Sequence, residues 1–346
     1  MTLFRLALAA LLLSVLALPA TAQTRINQIQ ILGSHNSYRP VPTPEQMHAI
    51  VAAGQGDNGS LEYGHPPLVD QLDAGIRQLE LDPVSDLTGG RFAAPHEVDP
   101  DAHRIMMQPG AKVLHIPGID VATHCLTLRL CLDQIADWSR AHPEHDLIVI
   151  LINNRDVPEP FTAEGLDAVD ADILAAFGRE AVIAPDNVRG AHATLREAVR
   201  VREWPTADAA RGRVLLIHDT SPRLTALYAE SHSSLDGRMM FGLYDETDDE
   251  AAVFNIQDPL AESDRIRRLV GEGFLVRSRS DANTLEARNR DLSRLEAAVA
   301  AGAQLISTDY YPGAPDPAGL GFVVRLANGF SQTNPLAVSA GGDRQP

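Results

Sequence analysis

Short apolar runs alternate with helical patterns along most of this chain. The runs INQIQILGSHN, GIRQLELDP, KVLHIPG, DLIVILINN, RVLLIHDT, RMMFGLYDE, FLVRSRSD and AQLISTDYY are rich in Val, Ile and Leu, as strands buried on both faces require. Between them lie CLDQIADWSRAH, AEGLDAVDADILAAFG, DPLAESDRIRRLVGEG and ARNRDLSRLEAAVAAG, which carry helical periodicity, the last two closing on a Gly stop. Strand then helix, repeated through eight strands, predicts a (β/α)8 barrel of the TIM type. An open doubly wound sheet is the alternative, and no G-x-G-x-x-G follows the first strand to support it. Two connections are long for this fold. One runs from Pro40 to Leu68 and the other is LTGGRFAAPHEVDPDAHRIMMQPGA; such loops serve as lids or rims. The second carries Ile105, Met106 and Met107, either a lipid-touching tip or a buried lid.

The first residues read differently. MTLFRLALAALLLSVLALPATAQ has Arg5, an apolar run from Leu6 to Leu18 and Ala20-Thr21-Ala22, the three parts of a signal peptide. Cleavage after Ala22 predicts a secreted or periplasmic protein; an uncleaved anchor is the alternative. The domain plan is then a leader over 1–22, one barrel domain over 23–335 and a tail over 336–346. In an oxidising compartment Cys125 and Cys131, six positions apart, predict a disulfide. A zinc site with His124 is the alternative, and a continuous helix from 125 to 131 would forbid the bridge.

The chain has 346 residues and a formal net charge of -17. That acidity argues against nucleic acid as a partner and against simple electrostatic docking on anionic membranes. It leaves open an anionic substrate held in a local site. No oligomerising pattern stands out, so a monomer is expected, with at most transient contact at a membrane surface.

A barrel of this kind collects its site at the C-terminal strand ends. There the chain places His35-Asn36, Glu80-Leu81-Asp82, His115, Asn153-Asn154-Arg155-Asp156, His218-Asp219, Asp245-Glu246, Arg277 through Asp281, and Ser307 through Tyr311. Glu80 and Asp82 are two apart in a strand, so they face the same way. Paired carboxylates repel unless a cation joins them, and Ca2+ takes carboxylates together with an amide oxygen such as that of Asn36. A surface ion pair with Arg77 or Arg39 is the competing reading. His35 and His115 titrate near neutrality, and two such rings beside a metal suit cleavage of a phosphodiester: one takes the proton of an attacking hydroxyl and the other protonates the leaving oxygen.

SHNSY, QLELD, VLHIPG and CLDQIADWSRAHPEHDLIVILINNRD, followed by RGRVLLIHDT, GFLVRSRSDANTLEARNRD and GAQLISTDYYP, resemble the calcium-dependent phosphoinositide-specific phospholipase C family of bacteria. The resemblance runs from about Ile31 to about Asn334, with the motifs in order. It implies a phospholipase C barrel that cuts between diacylglycerol and inositol phosphate, the inositol 2-hydroxyl attacking to give a cyclic phosphate. By the same resemblance His35 and His115 match the catalytic pair, here taken as base and acid, and Asn36, Glu80 and Asp82 match the calcium ligands. The family's further acidic ligand falls on Asn153, an oxygen without a charge. Arg277 and Arg279, on one side of their strand, are candidates for holding substrate phosphate; ion pairs with Asp281 or Asp309 are the alternative. Asp309 is placed to orient a histidine or an arginine. A glycerophosphodiesterase-like or sphingomyelinase D-like barrel, and a non-catalytic barrel that binds inositol phosphate or lipid headgroups, are the competing functions. The former would carry a His-Arg-Gly start, absent here.

Overall fold

The computed structural model describes residues 23–337. The expected leader, 1–22, and all but the first two positions of the expected tail lie outside the described residues. Eight parallel strands form the barrel: β1 (Ile29–Ser34), β2 (Gln78–Leu81), β3 (Ile148–Ile152), β4 (Val214–His218), β5 (Met240–Gly242), β6 (Val253–Asn255), β7 (Leu275–Arg279) and β8 (Leu305–Thr308). Each strand pairs with the next, β8 returns to β1, and a parallel bridge between Leu243 and Val253 closes the ring. Ser331–Thr333 adds an antiparallel strand against the start of β1.

Two strand assignments change. KVLHIPG is not a barrel strand. Only Lys112–Val113 is extended, and it pairs antiparallel with Pro83–Val84 in a small ribbon that continues from the end of β2. Pro117 and Gly118, the latter at φ 79°, stop the run, and Lys112 is drawn into a buried ion pair with Asp86. The eighth strand is instead Val253–Asn255. Three residues after an acidic turn carry too little periodicity to stand out.

Strands β3 and β4 are buried along their whole length, since helices cover the outer face and side chains fill the inside. Helices Leu128–Ala141, Ala163–Phe177, Pro259–Gly271 and Ser293–Ala301 lie where the periodicity predicts. The side chains of Thr127 and Thr162 cap the first two by accepting from the backbone N–H three residues on. Because the first helix starts at Leu128, Cys125 sits in the loop before it and Cys131 in its first turn, with Cα atoms 5.1 Å apart; the two are bridged. Met106 is buried against Val84, Phe92 and Leu114, and Met107 is half-exposed.

Candidate active site

The chain leaves β1 through Asn36, whose φ of 51° is a left-handed value that Asn tolerates better than most side chains. That turn lays His35 over the barrel mouth. Its side chain is 17% exposed. Nδ1 of His35 donates to Asp309 Oδ1 at 3.2 Å, and Arg279 Nη1 donates to His35 Nε2 at 3.3 Å. This pair of contacts defines a neutral ring with its proton on Nδ1 and a lone pair on Nε2. Burial, then the charge of Arg279, lowers the His35 pKa to about 3, with Asp309 opposing. Asp309 is itself held below the usual carboxylate range: burial alone would raise it, and His35, His65 and Arg279 outweigh that. His65 Nε2 donates to the His35 carbonyl at 2.7 Å, and its ring stacks on Tyr311.

His115 lies at the same rim although its run is not a barrel strand. The ribbon that grows from β2 carries it there, and Leu114 N–H donates to the Asp82 carbonyl at 3.4 Å. His115 Nδ1 donates to Asp120 Oδ2 at 2.8 Å, and Arg39 Nε donates to the same oxygen at 2.6 Å. Burial would raise the Asp120 pKa; the bonds from His115 and Arg39 prevail and lower it. The Arg39 guanidinium lies 4.8 Å over the ring of Tyr63, which is 5.8 Å from the His35 ring. The two histidines are thus ends of one connected set of groups: His35, Tyr63, Arg39, Asp120, His115.

Beneath them lie the carboxylates. Glu80 and Asp82 are buried, as is Asp219 at the end of β4. Arg277 Nη2 donates to Glu80 Oε2 at 2.9 Å, and Arg155 Nη2 donates to Asp82 Oδ2. Asp82 Oδ1 is buried without a partner. Burial raises the Glu80 pKa to about 7; Arg277 opposes, while Asp82 and Asp219 add to the rise. Asn255 Nδ2 donates to both Asp219 oxygens at 2.9 Å. Asn36 Nδ2 donates to Tyr63 Oη at 2.8 Å, which leaves its carbonyl oxygen as the other prong.

Arg277 and Arg279 are 1% and 7% exposed and engaged with Glu80 and with His35 and Asp309, so both are framework cations of the mouth. Asp309 orients a histidine and an arginine at once. Asp219 stood at a strand end in the sequence without an assigned role. Arg155 likewise stood at a strand end without a role, Arg39 entered only as a competing ion-pair partner, and Tyr63, His65 and Asp120 went unread as site groups. Only the His115–Asp120 spacing across Pro117-Gly118 offered a local signal, that of a tight turn joining the pair.

A parallel barrel with two carboxylate-held histidines at its C-terminal rim is an arrangement that can carry out acid–base chemistry. This chain belongs to the Ca2+-dependent phosphoinositide phospholipase C family, whose model matches residues 24–335, and is a phosphoric diester hydrolase of that family. Its fold is similar to that of a calcium-dependent phosphoinositol-specific phospholipase C from Pseudomonas sp., in the apo form at 16% identity and in a myo-inositol complex at 17%. Both pairings have a TM-score of 0.59 and cover 91% of this chain and 97% of the other. A Ca2+-dependent phosphatidylinositol-specific phospholipase C from Streptomyces antibioticus is 20% identical, with a TM-score of 0.57, covering 86% of this chain and 97% of that one. No curated protein sequence matches this one.

Calcium dependence is a property of the family, and the residues here fit the ion poorly. Calcium takes about six to eight oxygens. The expected set offers Asn36, Glu80, Asp82 and the half-buried amide of Asn153. Both carboxylates already hold a guanidinium. No group of three or more His, Cys, Asp or Glu converges as a metal cage among the described residues.

Proposed function

We propose that this protein cleaves phosphatidylinositol-type lipids by the phospholipase C reaction, with His35 as base and His115 as acid. The observation that carries the reading is the state of His35: neutral, protonated on Nδ1 toward Asp309, with its Nε2 lone pair held only by a long 3.3 Å contact from Arg279 that a substrate hydroxyl can displace. In the step, Nε2 takes the proton of the inositol 2-hydroxyl as its oxygen bonds to phosphorus. The bond from phosphorus to the glycerol oxygen breaks, and His115 supplies that oxygen with a proton. The products are diacylglycerol and a cyclic inositol phosphate, which water opens with the histidines in exchanged roles. Asp120 accepts from His115 Nδ1 and so orients the ring, leaving Nε2 as the nitrogen that hands over the proton.

The loops above the strand ends expose Val51, Val98, Met107 and Val157, at 50%, 96%, 49% and 67%. Apolar tips around a mouth suit transient contact with a lipid surface. The disulfide suits export to an oxidising compartment. The test is turnover of phosphatidylinositol with detection of the cyclic phosphate, beside His35→Ala and His115→Ala. Each substitution should cost about 10²–10⁴-fold in kcat. Turnover that survives both removes the assignment, and glycerol phosphate as the product moves the enzyme to another phosphodiesterase class.

A further inference from the structure

The poor fit for calcium has a counterpart in what replaces it. We propose that the guanidinium of Arg155, fixed by Asp82, is the cation that meets the substrate phosphate, so that this chain works without a metal. The inference rests on the phosphodiesterase reading and adds the identity of the cation.

Position comes first. Beyond β3 the backbone keeps its register, with Asn153 N–H donating to the Leu81 carbonyl at 2.8 Å and Arg155 N–H to the Pro83 carbonyl at 2.9 Å. Arg155 forms a parallel bridge with Val84. In such a segment alternate residues face the same side. Asn154 turns outward, its Nδ2 in contact with His218 Nε2 at 3.0 Å. Asn153 and Arg155 therefore face the mouth beside Asp82.

Charge follows. Arg277 and Arg155 bring two positive charges to Glu80 and Asp82, the charge a calcium ion would carry. The two arginines are not equivalent. Arg277 donates through Nε to Ser307, through Nη1 to Asn255 and through Nη2 to Glu80, so all three nitrogens are committed, and its side chain is 2% exposed. Arg155 donates only through Nη2, its Nε is buried without a partner, and its side chain is 33% exposed. It is a cation at the mouth with uncommitted N–H groups. A guanidinium fork matches two oxygens of a phosphate, and donors aimed at a phosphorane stabilise charge as it develops. A guanidinium stays protonated in proteins, so the positive charge is permanent.

The experiment pairs turnover with metal binding. Phosphatidylinositol in mixed micelles is assayed with excess EGTA and with millimolar calcium, and calcium binding is followed by calorimetry on the same protein. We expect wild-type rates within about threefold of each other in the two buffers, and no calcium binding at millimolar concentration. Arg155→Ala should lose about 10²–10³-fold in kcat, with partial recovery by added guanidinium or by calcium, which can then reach Asp82. Removing Arg155 alone leaves a buried carboxylate unpaired, so the charge-neutral double variant Arg155→Met/Asp82→Asn is made beside it; it should keep its melting temperature and lose turnover. Calcium binding to the wild type together with EGTA-abolished turnover overturns the proposal, as does full activity of either variant. If the wild type turns over in neither buffer, the lipid reading fails. The cation assignment is then judged on calcium binding alone, which should be absent in wild type and present in Arg155→Ala; the reverse pattern overturns it.

Discussion

Replacing Asp309 by Asn separates the orientation of His35 from its presence. Asp309 accepts from His35 at 3.2 Å through one oxygen and from Arg279 at 3.3 Å through the other. Both bonds are charge-assisted but long, so each belongs at the weak end of the range, about 1.5 kcal/mol. Losing both at the transition state would cost about 3 kcal/mol, or about 10²-fold in kcat. A further loss toward about 10⁴-fold follows if the amide turns its N–H toward Nδ1 and imposes the wrong tautomer. The fold should survive. Asp281, whose pKa burial and Asp309 together raise to about 6, is already mostly ionised at pH 7 and keeps a negative charge beside Arg279. The sign of the pH effect is distinctive. Asp309 is the charge that raises the His35 pKa, so without it the ring becomes a weaker base that is already neutral at pH 7. Raising the pH should therefore not restore the rate. The assay is kcat and KM for phosphatidylinositol from pH 6 to 9, with melting temperature as the check on folding. KM should move little. A variant that keeps kcat within about fivefold of wild type, or that recovers as pH rises, refutes the orientation argument.

The remaining expectations concern stability. Reducing Cys125–Cys131, or replacing both residues by Ser, opens a loop with a sequence separation of 6 and should cost about 2 kcal/mol, read as a shift in the urea midpoint. Gly33→Ala would place a Cβ 2.1 Å from Gln78 Oε1 and 2.5 Å from Gln78 Cβ inside the barrel, where Gln78 also accepts from Ser307; a loss of about 1–3 kcal/mol is expected by the same measurement. His218 is buried, and burial lowers its pKa to about 3, so it folds neutral while the unfolded chain takes up its proton near pH 6.5. Stability from this group is therefore lost as pH falls from 6.5 toward 3. Relative to His218→Gln, wild-type stability should drop by about 1.4 kcal/mol per pH unit below 6.5, and a flat difference would show that the ring protonates in place.

Local pattern was enough for much of this protein. Seven of the eight strands, the barrel and the side-by-side Glu80 and Asp82 follow from periods of two and about 3.6, which depend only on neighbours in the chain. The strand-end position of His35-Asn36 and the short separation of the two cysteines were legible for the same reason. What the tertiary structure decided is who meets whom across the mouth. Arg277 and Glu80 are 197 positions apart, His35 and Asp309 are 274 apart, and Arg155 reaches Asp82 over 73. Such pairs exist only once eight strand ends are drawn into one ring, and no local period records them. The same holds for His115, which reaches the rim on a ribbon rather than a strand. A run of residues reveals which groups carry charge; closure of the barrel determines which charges neutralise each other, and hence that Asp82 faces a guanidinium.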